Sequence, residues 1–206
     1  MLSLVREAEV SFPRFDRAKV QTQLAELGTR EQTAFAALCA ERLLPYYRWF
    51  SSQEHWGSYE RLNDALGAVW RYVEGNPLTS EEYDHLVEEC RALTPDTEDF
   101  DSPLTPRAMD ASVAVVQALR MCVEPSERRA AEVAEVAVHA AFGMEQINAV
   151  EDLGQVRVAD PAHLRALFGA GRVDQELEIQ AGVLEALRQE TPLDVATLRE
   201  RFGLAS

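Results

Sequence analysis

Lysine is almost absent from this chain, in which 19 arginines stand against one lysine, Lys19. Acidic residues number 35 and basic residues 20, so the formal net charge is −15. A charge of this sign and size repels the phosphates of nucleic acids. The composition therefore indicates that nucleic acid is not the partner of this protein.

Cysteine is also scarce, and its spacing excludes a disulfide framework. The chain has three cysteines, Cys39, Cys90 and Cys122, which are far apart and form no Cys-x-x-Cys pair. An odd, small number of this kind is typical of free thiols. Each lies on or beside an apolar helical position, so we expect three buried side chains without a redox function.

Long apolar runs are missing as well. No window approaches the roughly 20 apolar residues that are needed to cross a bilayer. The first residues, MLSLVREAEV, carry charges where a signal peptide needs an apolar run. The sequence therefore predicts a soluble, cytoplasmic protein that does not bind a membrane.

Catalytic and metal-binding signatures are likewise absent. There is no G-x-S-x-G, no Walker A motif and no G-x-G-x-x-G after a strand. A di-metal carboxylate bundle needs two Glu-x-x-His motifs, and only Glu82-Tyr-Asp-His85 occurs. Glu135 and His139 share the polar face of a helix, where ion pairing explains them better. We therefore assign no catalytic residue and expect no metal and no cofactor.

What the sequence has throughout is helical periodicity and helix-start signals. Thr29-x-x-Gln32 and Thr79-x-x-Glu82 read as capping boxes. The pattern predicts an all-α fold, a single-domain multi-helix bundle over residues 1–206 with a kinked second helix. The predicted helices lie near 16–27, 30–54, 57–74, 80–92, 106–123, 126–149, 161–169, 173–189 and 192–202.

The kink is predicted within the stretch CAERLLPYYRWF, residues 39–50. Pro45 has no N–H and its ring crowds the carbonyl of Glu41, so a continuous helix should bend there and free that carbonyl. On a helical wheel Arg42 lies among the apolar residues, whereas Glu41 and Arg48 lie on the opposite side. We expect the bend to aim Arg42 towards the core.

A buried arginine needs an acidic partner, because an unpaired buried charge is very costly. Glu176 and Gln180 lie one turn apart on the apolar face of the predicted helix 173–189. Glu176 is therefore the first candidate partner of Arg42, with Gln180 closing the network, and Asp110 is the second candidate. Two interpretations remain open: an ion pair that fixes the helix register, and a polar pocket for a small ligand.

Negative charge is concentrated between Glu74 and Asp101, which hold ten acidic residues and one arginine, a formal charge of −9. Most runs of this kind are solvated helix surface. The functional alternatives are a weak cation site and a docking surface for a basic protein partner. The residues predicted to form that surface are Glu81, Glu82, Glu88 and Glu89.

Aromatic residues are dense between Tyr46 and Trp70. The simplest interpretation is core between two adjacent helices. The alternative is an exposed patch for a partner or for a homodimer, because tyrosine and tryptophan are favoured at such surfaces.

Three stretches together resemble a bacterial family called domain of unknown function 416. They are FAALCAERLLPY (35–46), Phe100-Asp101 with AMDA (108–111), and VDQELEIQ (173–180). The resemblance implies an all-helical cytoplasmic protein without an assigned activity, with an association to histidine-kinase signalling. It also draws attention to six residues, Glu41, Arg42, Pro45, Asp110, Glu176 and Gln180.

Three functions follow from these patterns as hypotheses. The first is a non-enzymatic protein-interaction module, associated with signalling, whose acidic surface meets a basic partner. The second is a ligand-binding or enzymatic pocket lined by the network of Arg42, Asp110, Glu176 and Gln180. The third is an acidic immunity or inhibitor protein that neutralises a basic toxin.

Overall fold

The computed structural model describes residues 15–152, 172–189 and 193–203, and every regular element within these ranges is a helix. The all-α prediction is therefore confirmed. The helices are α1 (Arg17–Ala25), α2 (Thr29–Glu41), α3 (Leu44–Glu54), α4 (Tyr59–Val73), α5 (Ser80–Ala92), α6 (Thr105–Met121), α7 (Glu127–Asp152), α8 (Arg172–Gln189) and α9 (Val195–Phe202).

Short polar side chains begin several of these helices. Asp16, Ser58 and Asp194 each accept a hydrogen bond from a backbone N–H of the first turn. The capping box of Thr79 and Glu82 is present at the start of α5. These caps set the boundaries of α1, α4, α5 and α9.

The second predicted capping box is wrong. Gly28, not Thr29, is the N-cap of α2, and Thr29 is already helical. The amide of Gln32 instead donates to the carbonyls of Leu24 and Leu27, both at 3.0 Å. Gln32 therefore satisfies carbonyls at the end of α1, a tertiary contact that a local motif does not encode.

The predicted kink is confirmed and divides the predicted helix 30–54 into α2 and α3. The bend lies at Arg42 and Leu43, where the backbone keeps right-handed angles (φ −67°, ψ −15° and φ −89°, ψ −21°). The N–H of Leu43 binds the carbonyl of Ala40, and the N–H of Tyr46 binds that of Leu43. Pro45 falls in the first turn of α3, where a missing N–H costs little.

Helix α6 lies at the centre of the bundle. It packs against α2, α3, α4, α5 and α7. Its buried face is built largely from small side chains, which let the neighbouring backbones approach closely: Ala108, Ala111, Ser112, Ala114 and Ala118. Helix α2 is equally enclosed, because every residue from Gln32 to Glu41 is buried. A polar group in this segment of α2 therefore needs a partner within the protein.

Two further predictions involve residues that the structure does not describe. The predicted helix 161–169 lies outside the described residues, and the single domain over 1–206 stays a prediction. Among the helices that the structure describes, none has the length and apolar character to span a bilayer.

Candidate functional site

Arg42 and Glu176 form a doubly hydrogen-bonded ion pair between the end of α2 and the start of α8. Nε of Arg42 donates to Oε2 of Glu176 at 2.9 Å, and Nη2 donates to Oε1 at 2.6 Å. Each side chain is only 10% exposed. The planar guanidinium matches the carboxylate in two parallel bonds. The structure thus brings together the two residues that the helical wheels paired.

The other N–H groups of Arg42 also find acceptors. Nη1 donates to the carbonyl of Leu38 at 3.0 Å and to that of Phe202, at the end of α9, at 3.3 Å. Nη2 also donates to Sγ of Cys39 at 3.6 Å. A guanidinium has five N–H groups, and these contacts together with Glu176 account for all five. No donor of Arg42 is left for a ligand.

Gln180 carries the network into the core. Its Nε2 donates to Oε1 of Glu176 at 2.8 Å and to the carbonyl of Ala134, on α7, at 3.0 Å. The side chain is 2% exposed. Its Oε1 has no hydrogen-bond partner in the part of the chain that the structure describes. The network therefore ties α2, α7, α8 and α9 to one another.

Electrostatics keep Arg42 charged and Cys39 neutral. Burial lowers the pKa of Arg42, but the charge of Glu176, the neighbouring Cys39 and the hydrogen bonds to both together more than offset it, so that this pKa is raised above its ordinary value. Burial raises the pKa of Cys39 to about 12, although Arg42 opposes the change. A thiol that stays protonated is a poor nucleophile, so Cys39 beside Arg42 is not an activated cysteine.

The helix break positions the guanidinium, but through a different carbonyl from the one expected. Arg42 is the C-cap residue of α2, and its backbone N–H points at the carbonyl of Leu38 at 3.3 Å. Its own Nη1 binds that same carbonyl. The guanidinium thus folds back along α2 and satisfies the carbonyl of Leu38, one turn before Arg42 itself.

The helical wheel predicted that Glu41 lies on the side opposite the apolar face, but in the structure Glu41 is buried, at 8% exposed. Its carboxylate accepts bonds from Nε of Arg199, on α9, at 3.1 and 3.3 Å, and a further bond from Nη2. The prediction failed because α9 packs across the end of α2 and covers that face. Sequence reasoning missed Arg199, since a helical wheel of α9 does not show where α9 docks.

Asp110 is not part of the Arg42 network, contrary to expectation. Its Oδ2 lies 3.3 Å from Nε of Arg107, one turn earlier on α6, yet within the described residues this oxygen accepts no hydrogen bond. Arg107 donates instead to the carbonyl of His139 at 2.9 Å. Burial raises the pKa of Asp110 to about 6, and the charge of Arg107 only partly opposes this. The four residues predicted to line one pocket therefore belong to two separate groups.

The acidic residues of α5 face outward, because the inner face of that helix is formed by Tyr83, Val87 and Cys90. Several carboxylates already have local partners. Glu82 belongs to the capping box, Glu88 pairs with Arg91, and Glu89 lies 3.5 Å from His85. Of the residues predicted to form the acidic surface, Glu81, Glu82 and Glu88 are exposed and Glu89 is half-buried, and Glu82 also has a structural role.

The loop after α5 extends this acidic surface and is anchored by aromatic side chains. Asp99 and Asp101 are exposed on either side of Phe100. The Phe100 ring packs edge-on against Phe50 at 5.1 Å and Trp56 at 5.3 Å between centroids. Part of the aromatic cluster therefore serves as core that holds the acidic loop in place.

The side chains that could ligate a metal do not cluster in the described part of the chain. In the described ranges, no three His, Cys, Asp or Glu side chains converge on a point that could hold a metal ion. The histidine of the Glu-x-x-His motif, His85, contacts Glu89 on the surface of α5.

Comparison with known proteins supports the fold and the family. A crystal structure of a DUF416 family protein from Shewanella baltica OS155 superposes with a TM-score of 0.69 at 22% sequence identity. The alignment covers 90% of this chain and 98% of that one. No curated protein matches. Residues 19–202 match the family described as protein of unknown function (DUF416), and this chain belongs to that family.

Proposed function

We propose that this protein is a non-enzymatic, cytoplasmic interaction module that binds a basic protein partner through the acidic surface of α5 and the following loop. Its association with signalling is part of the same proposal and is suggested by the family resemblance. The observation that carries the proposal is an exposed, anchored surface with a formal charge of −9 between Glu74 and Asp101.

The Arg42 network supports this proposal because it leaves no free N–H group of Arg42 for a ligand. A binding or catalytic arginine needs free N–H groups that face a cavity. Those of Arg42 are all engaged, and the side chains of both Arg42 and Glu176 are 10% exposed. This geometry favours an ion pair that joins helices over a substrate pocket.

The surface itself is suited to electrostatic recognition. Glu81, Asp84 and Glu88 project from the outer face of α5, and Asp96 and Glu98 continue into the loop as exposed residues. The edge-on packing of Phe100 fixes the end of that loop. A preformed surface of one charge accelerates association with an oppositely charged partner and orients it.

The test is charge reversal with a matched control. The variant Glu81→Lys/Glu88→Lys changes two exposed carboxylates without touching the Glu82 capping box. The control Glu178→Lys/Glu200→Lys makes the same change in net charge at exposed positions of α8 and α9. Affinity capture from the native host, at about 50 mM and about 500 mM salt, reports the partners of each protein.

We expect one or more basic partners to be retained by the wild type and by the control at low salt. The same partners should be lost at high salt and with Glu81→Lys/Glu88→Lys, because exposed charges are screened over a Debye length of about 10 Å at 0.1 M salt. Partners that are retained equally by all three proteins would contradict the proposal.

A further inference from the structure

A cleft of about 360 Å³ lies between α4 and α9, next to Glu41. Its volume is at the lower end of the range for pockets that bind small molecules, about 300–1,000 Å³. The residues that define its chemistry are Glu41, Asp64, Gly67, Trp70, Arg71 and Arg199. None of the predicted functions included this cleft.

Arg199 is held in a fixed orientation at one wall. Its Nε and Nη2 bind the carboxylate of Glu41, and its guanidinium lies over the ring of Trp70, 5.2 Å from the centroid. The side chain is nevertheless 46% exposed. The bonds to Glu41 leave Nη1 available for an acceptor that enters the cleft, and a fixed guanidinium loses little entropy when it binds one.

Trp70 forms an apolar wall of the cleft. The residue is 4% exposed, it lines the cleft, and the guanidinium of Arg199 covers the face of its ring. Its indole nitrogen is itself buried and has no hydrogen-bond partner among the described residues, so this N–H is not presented to the cleft. The groups that can bind an anion in the cleft are therefore its two arginines.

Gly67 keeps the floor of the cleft open. It lies one turn before Arg71 on α4, and a Cβ added to Gly67 would meet no atom within 4 Å. Glycine is unfavourable in the middle of a helix, so the position is not explained by helix stability. The missing side chain leaves room between Arg71 and Arg199 for a ligand.

We propose that this cleft binds a small organic anion, whose carboxylate or phosphate group is held between Arg71 and Arg199. Arginine side chains bind both kinds of oxyanion through paired hydrogen bonds. The ion pair of Glu41 and Arg199 is close to neutral, so Arg199 contributes the hydrogen bond of its Nη1, and Arg71 contributes the positive charge. Asp64 also lines the cleft, and its carboxylate can accept hydrogen bonds from hydroxyl or amino groups of the same ligand.

The proposal is tested by titrating the full chain with citrate, succinate, glycerol 3-phosphate and inorganic phosphate at constant ionic strength. Isothermal calorimetry measures affinity, and the indole N–H resonance of Trp70 in a ¹⁵N-correlated spectrum reports the site. We expect saturable binding of at least one probe with a Kd of about 1 mM or tighter. Binding of the two phosphates alone identifies a phosphate ligand, and binding of citrate or succinate alone identifies a carboxylate ligand.

Two pairs of variants locate the binding. Gly67→Leu fills the cleft and Gly67→Ala leaves most of it open, so we expect affinity to fall about tenfold or more in the first and about threefold or less in the second. Arg71→Gln should weaken binding by about tenfold, while Arg61→Gln, at an exposed position of α4 that does not line the cleft, should leave it unchanged.

Either of two results would overturn the proposal. One is the absence of saturable binding for all four probes. The other is binding that Gly67→Leu and Arg71→Gln leave at wild-type affinity, with no movement of the Trp70 indole resonance. A thermal melt of Gly67→Leu at or above the wild-type temperature shows that any loss of affinity does not come from unfolding.

Discussion

Replacing Glu176 by glutamine should destabilise the protein strongly, although the two side chains have nearly the same shape. The substitution leaves the cation of Arg42 buried with only neutral acceptors around it. Breaking a buried ion pair from one side costs about 3–5 kcal/mol. For a chain of 206 residues, each kcal/mol lowers Tm by about 2–4 °C, so we expect Tm to fall by about 6–20 °C.

Thermal and urea unfolding followed by circular dichroism measure this effect, and two variants calibrate it. Glu26→Gln removes one partner of the ion pair with Arg188, whose side chains are 64% and 30% exposed. An exposed pair of this kind contributes about 0–1 kcal/mol. The double variant Arg42→Met/Glu176→Met removes both charges, and its stability should return to within about 1–2 kcal/mol of the wild type.

Arg42 and Glu176 should behave as a matched pair, so the three variants should differ in stability. If Glu176→Gln or Arg42→Ala melts within a few degrees of wild type, the two charges are not buried as an ion pair. If the double methionine variant is as unstable as Glu176→Gln, the loss comes from packing instead of from an uncompensated charge. A coupling energy from the complete double-mutant cycle distinguishes these cases.

Three further predictions concern other parts of the molecule. The pKa of Asp110 in the folded protein is about 6, above its ordinary 3.8, so the free energy of unfolding should rise as pH falls from about 6 to about 4. The variant Asp110→Asn should flatten this dependence and stabilise the protein by about 1–3 kcal/mol at neutral pH. A urea midpoint of the wild type that does not change across this pH range would contradict the prediction. Gly67→Ala should stabilise the protein by about 0.5–1 kcal/mol, since the added Cβ meets open space. Gly143→Ala should destabilise it by about 1–3 kcal/mol, because the added Cβ would displace the guanidinium of Arg107. Chemical denaturation of both variants measures whether the two effects have opposite signs. Burial raises the pKa of all three cysteine thiols to about 12. Cys39 and Cys90 are buried as expected, whereas Cys122 is half-buried, contrary to expectation. A thiol reagent at neutral pH should therefore label Cys39 and Cys90 only as fast as the chain unfolds, and rapid labelling of either in the native protein would refute this.

Two acidic residues, Glu176 and Asp110, were both predicted to contact Arg42, and only Glu176 does so. The sequence pairs Glu176 with Arg42 because both lie on apolar faces of their helices. Asp110 also lies on a largely apolar helix, but the nearest cation is on its own helix, at Arg107. Helical periodicity shows which face a side chain occupies, and it does not show which of two buried groups will be within reach.

The helical secondary structure and the bend just before Pro45 were determined by local chemistry. Caps, prolines and the 3.6-residue period act over a few residues, so they can be identified without the rest of the fold. The burial of Arg42 followed from the same period. The acidic character of α5 and the following loop is likewise a property of the sequence, because these charges are too dense to be buried.

Only the tertiary structure decided where α9 docks, and several features of the molecule depend on that. Arg199 reaches Glu41, the carbonyl of Phe202 completes the contacts of Arg42, and the cleft beside Trp70 forms against α4. These contacts join residues more than 100 positions apart, and no local pattern encodes such a pairing. The packing of whole helix faces in the core selects it, and the polar contacts then form between the groups that this packing brings within hydrogen-bonding distance.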